Sequence, residues 1–181
     1  DKIDSGKAKH DLLAEVCMAA KYEGQSIKTH YTIHQVTNPD TKSQLCTVLA
    51  RSFADIGDIV RGKDLFYGNT QEKEQREKLE ENLKKIFAKI HGGLSNNGVK
   101  ERYQNDTGDF FQLREDWWNA NRETVWKALT CDVHGTYFRP TCGGDSESPS
   151  MARDKCRCEN KSGEPHISIM CHNIEMVRRM G

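Results

Sequence analysis

Two carboxylates three positions apart, Asp55 and Asp58 in "RSFADIGDIVRGKDL", are the first residues whose spacing could do chemistry. A pair of acids works as acid and base only when a pocket drives their pKa values apart, and such pairs usually come from different elements. Here both fall on one helical element, opposite the stripe of Leu49, Phe53, Ile56 and Val60. Arg51 precedes Asp55 by four residues and Arg61 follows Asp58 by three, so helix-surface ion pairs are the expected use of both acids. Gly57 between them costs about 1 kcal/mol relative to Ala in a helix, which predicts close approach of another helix at that point.

The stretch "REDWWNANRE" interleaves Arg114, Glu115, Asp116, Arg122 and Glu123 with two adjacent tryptophans. Exposed rings beside acids would make a sugar site, with the rings stacking and the acids accepting hydroxyls. The expected alternative has the aromatics packing inward while the charges pair around them. Buried Arg–carboxylate pairs there would set helix register more than they add stability.

Seven cysteines, at 17, 46, 131, 142, 156, 158 and 171, are read as disulfides rather than as a metal site. Cys156, Cys158, Cys171 and His172 lack the paired C-x-x-C spacing of zinc sites, and His30 and His34 fall in a segment read as loop. No metal and no cofactor is expected. No nucleophile-elbow, Walker-type or dinucleotide-binding glycine pattern occurs, so the chain is not read as an enzyme. Asn105-Asp-Thr and Asn160-Lys-Ser match the glycosylation triplet.

Lys plus Arg and Asp plus Glu balance at 27 each in 181 residues, which removes any general attraction to nucleic acid or anionic membrane. An anion site must therefore be local. One basic cluster is Lys84, Lys85, Lys89, Lys100 and Arg102; the other is Arg153, Lys155, Arg157 and Lys161. The first is the candidate glycan-binding site, since sulfated polysaccharides bind such patches through many charge-assisted contacts with strong salt dependence. A solvated charged face is the competing reading.

The elements that must position these residues are helices. Residues 8 to 22 carry Leu12, Leu13, Val16, Ala19 and Ala20 on one stripe; 24 to 43 read as loop; 45 to 61 are helical. Residues 71 to 91 place Leu79, Leu83, Ile86, Phe87 and Ile90 on a buried face, with Glu74–Lys78, Glu80–Lys84 and Glu81–Lys85 as favourable pairs. A fourth helix, about 110 to 130, sets Leu113, Trp117, Ala120, Thr124 and Ala128 on one face, with Trp118 and Val125 on its flank. Beyond Cys131 the glycines and prolines predict a disulfide-tied loop region with no strands. Four helical segments without a strand pattern predict an all-α fold, and a hydrophobic fraction of 35% beside 30% charge predicts an economical core. No run is long and apolar enough to span a membrane, and none reads as a signal peptide, so any anchor is expected outside this chain.

"LLAEVCMAAKYEGQSI", "ARSFADIGDIVRGKDLFYGNTQEKEQREKLEENLKKIF", "LREDWWNANRETVWKALTC" and "KCRC" together resemble the Duffy-binding-like domain of malaria parasites, over residues 8 to 158. The alpha type that heads the variant erythrocyte membrane protein 1 family is the more specific likeness. The resemblance implies a Duffy-binding-like helical bundle without catalysis, exported to the surface of the infected red cell. It implies adhesion and rosetting through a host erythrocyte receptor or a sulfated glycosaminoglycan such as heparan sulfate, and contact with neighbouring domains of the adhesin. The opening stretch would lie in a helix of the family's middle helical subdomain. A helical scaffold that presents variable antigenic surface, without its own ligand site, is the alternative.

Against that family, 1 to 181 reads as a partial domain, lacking most of the N-terminal subdomain and the helical C-terminal one. From about 164 to 181 the tail departs from the family. Met170 to Ile174 back-translates as an out-of-frame YVPQY, and Glu175 to Gly181 as an out-of-frame LRWFEEWA. Cys171 is then accidental, and six cysteines remain to pair. Cys17 with Cys46 is the expected first bond, and Cys131, Cys142, Cys156 and Cys158 allow three pairings.

Overall fold

A computed structural model describes residues 5–37, 45–64, 69–94, 101–106, 108–134, 140–142, 150–152 and 155–158. Among the described residues the helices run in the order α1 (Ser5–Thr37), α2 (Leu45–Arg61), α3 (Thr70–Gly92) and α4 (Phe111–Leu129). A two-stranded antiparallel ribbon follows, β1 (Pro140–Cys142) paired with β2 (Ser150–Met151). The fold is thus mostly helical, and the ribbon corrects the expectation of no strands. It is too short for period-two alternation to reveal it.

The largest difference from expectation is α1, which continues through the segment read as loop. Three threonines lower helix propensity there and disguise the period. In the helix each hydroxyl turns back onto a carbonyl one turn earlier: Thr29 to Gln25 at 2.9 Å, Thr32 to Lys28 at 2.8 Å, Thr37 to Ile33 at 3.2 Å. Tyr22, Ile33 and Val36 are exposed, so no apolar stripe marks this half of the helix.

The chain divides into two compact units. Unit 1 comprises residues 1–15 and 54–123, and unit 2 comprises 16–53 and 124–181. In unit 1, α3 begins at a capping box: Asn69 Oδ1 accepts from the Glu72 amide at 2.9 Å, and Glu72 Oε2 accepts from the Asn69 amide at 3.2 Å. Its buried face is Leu83, Phe87 and Ile90, packed with Phe87 edge-on to Trp117 at 6.1 Å. Leu79, expected in that stripe, is 42% exposed, because the burial starts one turn later. Ala120 of α4 is likewise exposed. Gly57 stands where predicted for a close approach: a Cβ there would lie 2.8 Å from the Trp118 ring of α4.

In unit 2, α1 and α4 approach so closely that a Cβ on Gly24 would fall 1.9 Å from the Leu129 carbonyl oxygen. Phe53 meets Trp126 edge-on at 5.2 Å. The expected Cys17–Cys46 bond does not form. Cys46 is bonded to Cys156, with Cα atoms 5.5 Å apart, and Cys142 to Cys158, at 5.4 Å. Cys131 is also disulfide-bonded. Cys17 is a buried free thiol on α1, and burial pushes its pKa up to about 11. The reason for the different partner is positional: Lys155 and Arg157 dock on the end of α4, and the cysteine between them meets the start of α2. Cys171 and the whole tail lie outside the described residues.

Candidate functional site

The helix that carries the candidate basic patch owes its orientation to its buried face. With Leu83, Phe87 and Ile90 turned inward, Lys85 and Lys89 are exposed one turn apart. Neither makes an ion pair among the described residues. Lys84 is different: its Nζ reaches Asp109 Oδ1 at 2.5 Å, and that hydrogen bond raises its pKa. Arg102 is held by both oxygens of Asp116, Nε to Oδ2 at 2.8 Å and Nη2 to Oδ1 at 3.1 Å. Lys100 lies outside the described residues. Two of the five cations are therefore engaged in structural pairs, and the part of the patch that is exposed and makes no ion pair among the described residues is the Lys85–Lys89 step.

Asp58 pairs with Arg61 at 2.6 Å, and Asp55 is exposed on the same helix. Arg61 also reaches Glu115 Oε1 at 3.2 Å, beside Lys63 Nζ on Oε2 at 2.7 Å. The Lys63 hydrogen bond, with help from Arg61, holds the Glu115 carboxyl below the usual range. Arg102, then the Tyr103 hydroxyl at 2.7 Å, do the same for Asp116.

The tryptophan stretch forms no stacking platform for a sugar. Trp117 and Trp118 are each 4% exposed, with the charges paired around them. Arg114 is fully buried and bidentate to Glu80, at 2.7 and 2.8 Å. It also donates to the carbonyls of Val60 at 2.7 Å and Ile59 at 3.1 Å, tying α4 to α2 and α3 within unit 1. Glu80 therefore does not pair with Lys84 as its spacing proposed. Arg114 was legible as the odd member of an otherwise buried row with Trp118 and Val125, but its partner was not.

The second basic cluster is also committed. Lys155 and Arg157 donate to the end of α4, and Arg153 and Lys161 lie outside the described residues. His30 and His34 share a face of α1, where His34 stacks on Tyr31 at 6.5 Å. Among the described residues no group of His, Cys, Asp and Glu is arranged to hold a metal. Cys156 and Cys158 are disulfide-bonded and so offer no thiolate. Asn105 is exposed, while Thr107 of its triplet and Asn160 lie outside the described residues. No helix among the described residues is long and apolar enough to cross a membrane.

The family model described as Duffy binding domain matches residues 1–174. Among solved structures the chain is similar to the ICAM-1-binding PfEMP1 IT4var13 DBLbeta domain, with a TM-score of 0.58 and 38% sequence identity. That match covers 70% of this chain and 28% of the other, so the chain spans little more than a quarter of the structure it resembles. No curated protein matches.

Proposed function

The chain belongs to the Duffy binding domain family, and from that premise we propose that it is part of an alpha-type adhesion domain displayed outside the infected red cell. In this reading it binds a host erythrocyte receptor through surface charge, with a sulfated glycosaminoglycan such as heparan sulfate as the ligand class. It catalyses no reaction, and rosetting is the adhesion it serves. The observation that carries the glycan reading is the exposed Lys85–Lys89 step on α3. Two ammonium groups four residues apart, about 6 Å along the axis, present point charges to successive sulfates.

Binding to heparin-type glycan across a salt series tests this. The wild-type chain is expected to bind at low salt and to weaken steeply as salt rises. Lys85→Ala with Lys89→Ala should weaken binding about ten-fold, the loss of two charge-assisted contacts. A folded chain that binds no glycan at low salt overturns the reading. Lys100 and the paired Lys84 and Arg102 are peripheral members of the proposed site. Replacing either paired cation also exposes an unpaired acid, so the Lys85 and Lys89 double variant is the cleaner test.

A second reading has a protein receptor, favoured by the matched DBLbeta domain, which is described as ICAM-1-binding. Binding to immobilised ICAM-1 that is indifferent to the double variant would support it. A scaffold presenting variable antigenic surface and contacting neighbouring domains is the reading left if neither ligand binds.

A further inference from the structure

The last turn of a helix leaves carbonyl oxygens that no helical N–H reaches. At the end of α4, in unit 2, Arg157 answers one of them, and Lys155 of the same short segment answers a carbonyl two residues beyond the helix. Lys155 Nζ donates to the Cys131 carbonyl at 2.6 Å, and Arg157 Nη2 to the Lys127 carbonyl at 2.7 Å. Arg157 Nε and Nη2 also grip Thr130 Oγ1 at 2.8 and 2.6 Å, while that hydroxyl donates to the Trp126 carbonyl at 2.8 Å. Thr130 is fully buried, so its hydroxyl is satisfied by Arg157 and the Trp126 carbonyl rather than by water. Positive charge at a helix C-terminus is also the favourable sign for its dipole.

The residues between and after these cations are the cysteines bonded to Cys46 and Cys142. The "KCRC" motif thus alternates cap and bond. Its backbone does not adopt this path freely. Lys155 has φ 42° and Cys156 φ 54°, two consecutive non-glycine residues in the left-handed region. Such a pair persists only when the surroundings over-determine it. Here the surroundings are the Cys46 bond on one side and, on the other, the carbonyls of Lys127 and Cys131 at and just beyond the end of α4.

We propose that Lys155–Cys158 is a redox-closed clasp: forming Cys46–Cys156 seats Lys155 and Arg157 on the end of α4, and reducing it releases them. Closure transfers two electrons and two protons from the two thiols to a disulfide carrier, which becomes a dithiol; opening is the reverse exchange. Because the cap and the bond share one strained segment, each stabilises the other by the same factor. Unit 2 is therefore completed only in an oxidising compartment. This inference stands independently of the adhesion reading.

Amide hydrogen exchange on the full chain tests it, read at Thr130, Cys131 and Val133, whose amides bond to the carbonyls of Trp126, Ala128 and Thr130. Cys46→Ser with Cys156→Ser should speed exchange there at least about ten-fold, with Phe87 and Ile90 of α3 unchanged. Lys155→Met with Arg157→Gln, disulfides intact, should reproduce that local rise. Unchanged protection at the three amides in either variant overturns the clasp. If the cysteine variant loses protection in α3 too, it has failed to fold, and the redox midpoint decides. In dithiol–disulfide buffers, the Cys46–Cys156 bond of Arg157→Gln should reduce at a dithiol ratio about ten-fold lower than in the wild type. Equal midpoints overturn the coupling.

Discussion

Arg114 sits in the interior of unit 1 with all three guanidinium nitrogens engaged. Glu80 takes two bonds, the carbonyls of Ile59 and Val60 take two more, and the Phe87 ring lies 5.6 Å from the guanidinium carbon. Removing one partner of such a pair is worse than never having had it, because the remaining charge is left without compensation. Glu80→Ala is expected to lower unfolding free energy by about 3–5 kcal/mol in urea titrations. Arg114→Met should cost less, since Glu80 is one-third exposed and regains water. A Glu80→Ala loss under about 1 kcal/mol, or the reverse order, would show that the pair does not hold this core. That an arginine stood among buried residues was readable from its place beside Leu113, Trp117 and Trp118. Its partner 34 residues earlier was not, because Glu80 has a local lysine at the favourable spacing.

At the scale of elements, two glycines mark where helices touch. At Gly24 the obstacle is backbone, the Leu129 carbonyl, and α4 cannot yield there without moving as a whole. At Gly57 the obstacle is one tryptophan ring. Gly24→Ala should therefore cost about 3 kcal/mol or more, although it adds a single methyl. Gly57→Ala should cost less, about 1–3 kcal/mol, and Gly57→Leu more than Gly57→Ala. Thermal melts give the order, and a melting temperature unmoved by Gly57→Leu would sink the close-contact account. Gly57 was legible because it interrupts a clear helical stripe. Gly24 was not, because the helix around it carries threonines and exposed apolar residues in place of a stripe, and so reads as loop.

For the molecule as a whole, balanced charge conceals a specific arrangement of carboxylates. Glu115 and Asp116 are held by cations and lie below their ordinary pKa values. A carboxyl depressed in the folded state contributes stability that is complete above its unfolded value, near 4, and is lost as pH falls through the folded value. Unfolding midpoints should then be flat with respect to these groups above about pH 5 and fall below about pH 4. Glu115→Gln with Asp116→Asn should flatten that acid limb; an acid limb of wild-type steepness in the double variant would assign the loss to other carboxylates. The disulfides act on the other side of the balance. Cys46–Cys156 joins residues 110 apart, a closure worth about 5 kcal/mol of unfolded-chain entropy.

The sequence by itself determined the helical class, the spans of α2, α3 and α4, the inward packing of the tryptophans and the family. Each rests on local information: a 3.6-residue apolar period, glycine at helix ends, or long motifs in fixed order. Tertiary structure alone decided that α1 runs on to Thr37, that Cys46 meets Cys156 rather than Cys17, and that Arg114 takes Glu80. It also decided that Lys84 and Arg102 are spent on Asp109 and Asp116, leaving Lys85 and Lys89 without an ion pair among the described residues. The physical reason is common to all four. Spacing along the chain states which partners lie within reach on one element, but a charge, a thiol or a bare glycine is satisfied by whatever the folded chain brings beside it.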